Sequence, residues 1–352
     1  MANNTVSFFL KLTVMSMLIS SCSQNLPTLQ DQKSAYSFTT EDELQEENTL
    51  KQLNEFYNEG IEKHFYGIDS IPIYYKIFKH HSSEKGAILI STGRTESAIK
   101  YKELIYDLYQ NGYSVYIHDH RGQGLSGRMA KDREIGHIDV FQNYVSDMKI
   151  FYQHILLPNK HSSVYLLAHS MGGAIGLTYL QQFTKDFKAA AFSSPMLGLG
   201  FIQCSLGSAL DTGEPAYAPT QKDYLESKES FDNNTLTNSK TRFSLFYDAY
   251  KNEPRVRLGG VSLHWINESC NQFQSIFNNV GAIKTPSLIF SAEEEEIVDP
   301  NAHLKFVEKA KALNAPIKGY FVKHAKHELL IEKDRTRSNV LSSILDFYKE
   351  HP

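Results

Sequence analysis

The chain has 352 residues, 41% of them hydrophobic and 22% charged, with a formal net charge of −4. That composition fits a soluble globular protein with enough apolar material for one large α/β domain carrying an insertion, or for two small domains. There is no basic surplus and no Lys/Arg cluster interleaved with aromatics, which argues against a nucleic-acid partner. Three cysteines are too few for a disulfide framework.

The first 22 residues carry one charged side chain, Lys11, and a short apolar run from Leu12 to Ile19 that ends at Ser20, Ser21 and Cys22. A run this short falls below the roughly 20 residues needed to span a bilayer, but it suits the core of an export signal. Ile19 to Cys22 resembles the lipobox of bacterial lipoproteins. That resemblance implies a signal peptide over 1–22, acylation of Cys22 and a membrane-anchored protein on the periplasmic or envelope side. An uncleaved hydrophobic tail is the alternative. Residues 23–60 read as a polar tether running into a surface helix, with a helix-start signal at Thr40 to Glu43. Cys204 and Cys270 have neither CxxC nor zinc-ligand spacing. They are either a disulfide pair outside the cytoplasm or two buried thiols.

From residue 61 onward, strand-like and helix-like segments alternate. The predicted strands are Ile71 to Phe78, Ala87 to Ile90, Tyr113 to His118, Val164 to Leu167, Ala189 to Phe192, Ser287 to Phe290 and Lys318 to Val322. The predicted helices are Tyr101 to Asn111, Val140 to Ile155, Gly173 to Phe183, Asn301 to Leu313 and a last one after Arg335. This rhythm implies an α/β domain over 61–352, with a mostly parallel sheet covered by helices on both faces. It fails across roughly 198–275, which reads as a cap insertion, rich in aromatic, glycine and polar residues, placed to cover a site at the carboxyl ends of the strands.

Ser170 lies in Ala168, His169, Ser170, Met171, Gly172, Gly173, between the run Val164 to Leu167 and a helical stretch. A strand, a sharp turn and a helix display the hydroxyl at the apex, and the positions two before and two after it must be small. Ala168 and Gly172 meet that need. A serine hydroxyl needs a base, and this order of elements predicts an acid and then a histidine at later strand ends. Asp299, before Pro300, is the expected acid, with Glu295 in the run Glu293 to Glu296 as the fallback. His327 is the expected base, with His324 as its rival. H-x-x-H without a third ligand does not suggest a metal site, and no cofactor is implied. The backbone N–H groups of Met171 and Arg94 are the expected oxyanion donors, the latter in the loop Ser91 to Glu96. The Arg94 side chain would either meet a phosphate-bearing head group or pair with Glu96. Gly122 to Gly127 spells G-x-G-x-x-G, but no helix opens there and no acid ends a second strand, so it reads as a tight rim loop and not as a dinucleotide site.

Several spaced motifs together resemble the bacterial lysophospholipase and monoacylglycerol lipase branch of the α/β hydrolases. They are Gly93 to Ser97 with Tyr101, Asp119 to Ser126, Ala168 to Gly173, Glu293 to Asp299, and His327 with Glu328, together with Gly259, Gly260 and Trp265 in the insertion. The resemblance covers most of residues 60–348. It implies metal-free ester hydrolysis through an acyl-enzyme, with Ser170, Asp299 and His327 matching the triad and the Arg94 and Met171 backbones the oxyanion hole. The chain departs from many relatives in having Thr92 where they have histidine. The expected substrate is a single-chain lipid ester, a lysophospholipid or a monoacylglycerol. The alternatives are an esterase, thioesterase or peptidase of the same fold acting on small substrates, and a catalytically silent lipid-binding lipoprotein.

Overall fold

A computed structural model describes residues 26–80, 83–200, 204, 211–225 and 230–352. The candidate signal and Cys22 lie outside the described residues. Eight strands form one sheet: β1 (Ile61–Tyr66), β2 (Pro72–Phe78), β3 (Ala87–Ser91), β4 (Ser114–His118), β5 (Val164–His169), β6 (Ala189–Ser193), β7 (Ser287–Glu294) and β8 (Ile317–Lys326). Their order is β1-β2-β4-β3-β5-β6-β7-β8. The pairs β1–β2 and β2–β4 are antiparallel, and every later pair is parallel.

β3, β4 and β6 are buried along their whole length, as continuous apolar strands of a doubly covered sheet must be. Alternation sends Ile88 and Ile90 to one face and Ala87 and Leu89 to the other. The first face packs against α2 (Lys102–Gln110) and α8 (Asp334–Lys349). The second packs against α3 (Gln142–Phe151), α4 (Met171–Gln182), α6 (Leu263–Asn278) and α7 (Pro300–Ala312). Successive connections run from β3 to β4 on one side and then to β5 on the other. The crevice outside the carboxyl ends of β3 and β5 is therefore the switch point where ligands of such sheets bind.

Between β6 and β7 the insertion contributes α5 (Lys240–Asn252) and then α6. Burial of Trp265, Ile266, Cys270, Phe273 and Ile276 makes α6 part of the layer that covers the sheet. Cys204 and Cys270 are joined in a disulfide, with 66 residues of separation. α5 is tied to the body by Arg242, which donates to both carboxylate oxygens of Glu103 and to Asp334.

The segment expected as a polar tether running into a surface helix is held against the body from residue 26 onward. Leu29 N–H donates to the Phe321 carbonyl at 2.8 Å and Phe321 N–H to that of Pro27 at 2.9 Å. This short pairing covers the exposed edge of β8. Tyr36 donates to Asp346 and Thr39 to Asp107. Thr40 and Glu43 form a reciprocal capping box, Thr40 N–H to Glu43 Oε2 at 2.8 Å and Glu43 N–H to Thr40 Oγ1 at 3.2 Å, ahead of α1 (Glu47–Glu59). Among the described residues no helix is long and apolar enough to cross a membrane.

Candidate active site

Ser170 stands at the carboxyl end of β5 with φ 49° and ψ −117°, a backbone region that a side chain rarely adopts and that costs about 1–3 kcal/mol. The surroundings hold it there. Its N–H donates to the Ser193 carbonyl at 3.1 Å, and its own carbonyl accepts from Gly173 and Met196, each at 2.8 Å. The small neighbours are required by close approach. A Cβ on Gly172 would lie 2.2 Å from the Ser91 carbonyl oxygen, and one on Gly173 would lie 2.6 Å from Pro195 Cβ. Ala168 is fully buried in the core below.

His327 follows β8, and its Nδ1 faces both carboxylate oxygens of Glu295, at 2.8 and 2.9 Å. The expected acid, Asp299, is elsewhere: it is the N-cap of α7, accepting from Asn301 N–H at 2.9 Å, with Pro300 at the first helical position. This corrects the sequence reading, and the reason lies in β7. That strand runs on to Glu294, four residues past its predicted end, so the first loop position beyond it is Glu295. The Glu295 side chain is fully buried and also accepts from Ile297 and Val298 N–H. Burial pushes its carboxyl up, but the hydrogen bond and charge of His327 and the two backbone donors outweigh this and hold it below its ordinary value. His324, the rival base, is exposed, with its Nδ1 3.6 Å from Glu293.

Opposite the serine, Met171 is the first residue of α4, so its N–H has no partner within the helix. The Arg94 N–H makes no hydrogen bond to another described residue. The loop that carries it is braced from two sides. Glu96 accepts from Gly93 N–H, and Gln123 Nε2 donates to the carbonyls of Gly93 and Glu96 at 2.7 and 3.0 Å. Gln123 belongs to the glycine-rich rim loop. There Asp119 accepts from Ser97, Ala98 and Leu125, all at 2.7 Å, and a Cβ on Gly124 would lie 2.0 Å from its carboxylate.

A buried ionic cluster that sequence reasoning did not assemble lies beneath the serine. Lys100 donates to Glu96 and, at 2.6 Å, to Glu328; His169 Nε2 lies 3.2 Å from Glu328 Oε2, while its Nδ1 faces the Ser193 carbonyl at 3.0 Å. Its readable signals were the i,i+4 spacing of Glu96 and Lys100 and the acid next to His327. Burial pulls the His169 imidazole down, but Glu328 and Glu96 hold it above its ordinary value. Burial likewise pushes Glu328 up, but His169 and Lys100 bring it well below. With His169 charged, two carboxylates face two cations, and the His169 and His327 rings lie 4.8 Å apart. Glu96, His169 and Glu328 have ligand atoms within 4.8 Å of one another, but the ammonium of Lys100 already supplies the cation between the two carboxylates.

A serine at a strained strand-to-helix turn, an imidazole–carboxylate pair at the ends of later strands and this sheet order define the α/β hydrolase architecture. Residues 82–334 match the family described as serine aminopeptidase, S33, and the chain belongs to that family. It is 35% identical over 323 residues to lysophospholipase L2 of Escherichia coli K12, covering 86% of this chain and 92% of that one. It is 28% identical over 256 residues to phospholipase YtpA of Bacillus subtilis, covering 70% and 90%. A solved monoglyceride lipase from Saccharomyces cerevisiae shares the fold, with a TM-score of 0.66 at 20% identity over 83% of this chain and 95% of that one. The chain is a carboxylic ester hydrolase of the lysophospholipase and monoacylglycerol lipase branch.

Proposed function

We propose that the protein is a membrane-tethered serine hydrolase that releases the fatty acid of a single-chain lipid ester, a lysophospholipid or a monoacylglycerol. The observation that carries the reading is the strained Ser170 at the switch point, with the His327–Glu295 pair held at the carboxyl ends of β8 and β7. Ser170 Oγ attacks the ester carbonyl carbon as His327 Nε2 takes its proton, and Glu295 fixes the tautomer and stabilises the imidazolium. The N–H groups of Arg94 and Met171 hold the oxyanion. Collapse returns the proton to the departing alcohol and leaves an acyl-enzyme. Water then attacks, with His327 again as base, and releases the fatty acid and the free serine. The lipid preference rests on the similarity to proteins named lysophospholipase and phospholipase.

Export is supported by the Cys204–Cys270 disulfide, which belongs to an oxidising compartment. If Cys22 is acylated, only residues 23–25 separate it from the described body. At about 3.5 Å per residue, the bilayer surface then lies within roughly 15 Å of Leu26, which packs beside Gly319 near the start of β8. A fluorophosphonate probe should label the wild type and not Ser170→Ala, and turnover should rise with acyl-chain length. Loss of labelling specificity would end the serine assignment, and a flat chain-length profile the lipid one. Intact mass of the mature N-terminus tests the anchor.

A further inference from the structure

Among the described residues, the fully buried cations are matched to carboxylates. Lys100 faces Glu96 and Glu328, Arg121 faces Asp147, Arg242 faces Glu103 and Asp334, and Arg337 faces Glu103 and Asp107. Arg128, bonded to two carbonyls, still lies in the field of Asp119 and Glu134. Arg94 has no such partner among the described residues. Glu96, its nearest acid in sequence, is committed to Lys100, Tyr101 and the Gly93 N–H. Both terminal nitrogens of Arg94 instead donate to one carbonyl oxygen, that of Gly259, at 3.1 Å each, and the guanidinium lies 5.7 Å from the centre of the Trp265 ring. Burial pushes the group down to about 10, with only Tyr144 and Tyr217 bearing on it, so it stays cationic at neutral pH. A carbonyl dipole does not neutralise the charge of this half-buried guanidinium, which keeps its capacity to pair with an anion.

The surroundings are built to put the cation there. Residues 134–136, 221–222 and 259–260 pack backbone to backbone, Gly259 N–H to the Glu134 carbonyl and Gly260 N–H to that of Lys222, each at 2.8 Å. A Cβ on Gly259 would lie 2.9 Å from the Lys222 carbonyl, one on Gly260 2.6 Å from Gln221 Oε1, and one on Gly136 3.1 Å from the Arg94 guanidinium itself. The side chain is only partly covered and belongs to the residue whose N–H is assigned above to the oxyanion hole, so its charge lies within one side-chain length of that N–H.

Taking the proposed ester hydrolysis as its basis, we infer that Arg94 forms an anion subsite for a phosphodiester on the leaving alcohol, which makes a lysophospholipid the preferred substrate over a neutral monoacylglycerol. The guanidinium donates a charge-assisted pair to the phosphate oxygens, and the Gly259 carbonyl holds the fork in place.

The test compares kcat/KM for a lysophosphatidylglycerol and a monoacylglycerol of the same acyl chain in the wild type, Arg94→Gln and Arg94→Lys. The ratio of the two should fall about 10- to 100-fold in Arg94→Gln and by less in Arg94→Lys, which keeps the charge but loses the fork. Glycerol 3-phosphate should inhibit the wild type competitively and bind Ser170→Ala, with affinity lost in the Arg94→Gln, Ser170→Ala double variant. Inorganic phosphate distinguishes the sources: inhibition by it as strong as by glycerol 3-phosphate marks a free-phosphate site and overturns the head-group assignment. An unmoved ratio overturns the inference while leaving the ester hydrolysis standing. A wild type that cleaves neither lipid overturns the underlying reading instead.

Discussion

Replacing Glu295 by Gln should abolish turnover, whereas replacing Asp299 by Asn should barely change it. Glu295 meets His327 Nδ1 with two oxygens at 2.8 and 2.9 Å, and Glu295 Oε1 also accepts the N–H groups of Ile297 and Val298 at 2.8 and 3.1 Å. The amide of a glutamine would give its oxygen to those backbone donors and turn its NH2 toward Nδ1. The imidazole would then carry its proton on Nε2, the atom that must accept from the serine. Loss of the correct tautomer in such a triad lowers kcat by about 10⁴. Asparagine caps a helix about as well as aspartate, so Asp299→Asn should stay within about threefold of wild type, and Asp299→Ala should cost about 1 kcal/mol of stability with kcat little changed. Steady-state hydrolysis of a chromogenic acyl ester, with thermal unfolding of each variant, reads both effects. A dead but well-folded Asp299→Asn beside an active Glu295→Gln would refute the assignment of the acid.

Three further outcomes follow from the same structure. Gly172→Ala places a Cβ 2.2 Å from a backbone oxygen of β3 that cannot yield, so thermal unfolding should show a loss of about 1–3 kcal/mol, together with reduced labelling of Ser170. Reducing the Cys204–Cys270 bond frees a loop with 66 residues of sequence separation, worth up to about 4 kcal/mol by chain entropy. Denaturant unfolding with and without reductant measures this, and equal midpoints would count against it. The cluster beneath the serine predicts a pH dependence. Because His169 is raised, its contribution is complete below the unfolded imidazole's titration and is lost as pH rises through the folded one. Because Glu328 is depressed, its contribution is present above the ordinary carboxylate range and is lost as pH falls through its folded titration. The stability difference between wild type and His169→Gln should therefore shrink on the alkaline side of about pH 6.5, and a constant difference would contradict the ionic reading.

Local chemistry determined much of this protein by itself. The apolar runs of β2 to β8 and the helices α2, α3, α4 and α7 are legible because strand and helix periods differ and Gly and Pro punctuate them, whereas α5 and α6 fall in the stretch where that rhythm fails. The elbow was legible because its geometry demands small residues at fixed offsets from Ser170. The capping box at Thr40 and Glu43 formed where its spacing placed it. β1 was not legible: Ile61–Tyr66 is an edge strand, exposed along nearly all its length, so burial imposes no alternation on it. The end of β7 is not legible, because Ser291 and Ala292 leave the apolar run, yet pairing with β8 carries the strand on into the glutamates. That extension moved the acid from Asp299 to Glu295. The Asp-Pro signal marks a helix start, which is what Asp299 serves, and four adjacent glutamates carry no local mark of the one that turns inward. Only the tertiary structure could select Glu295 and place Cys204 against Cys270. It alone could gather Glu96, Lys100, His169 and Glu328 beneath the serine and leave Arg94 without an acid, because each depends on contacts between segments far apart in the chain.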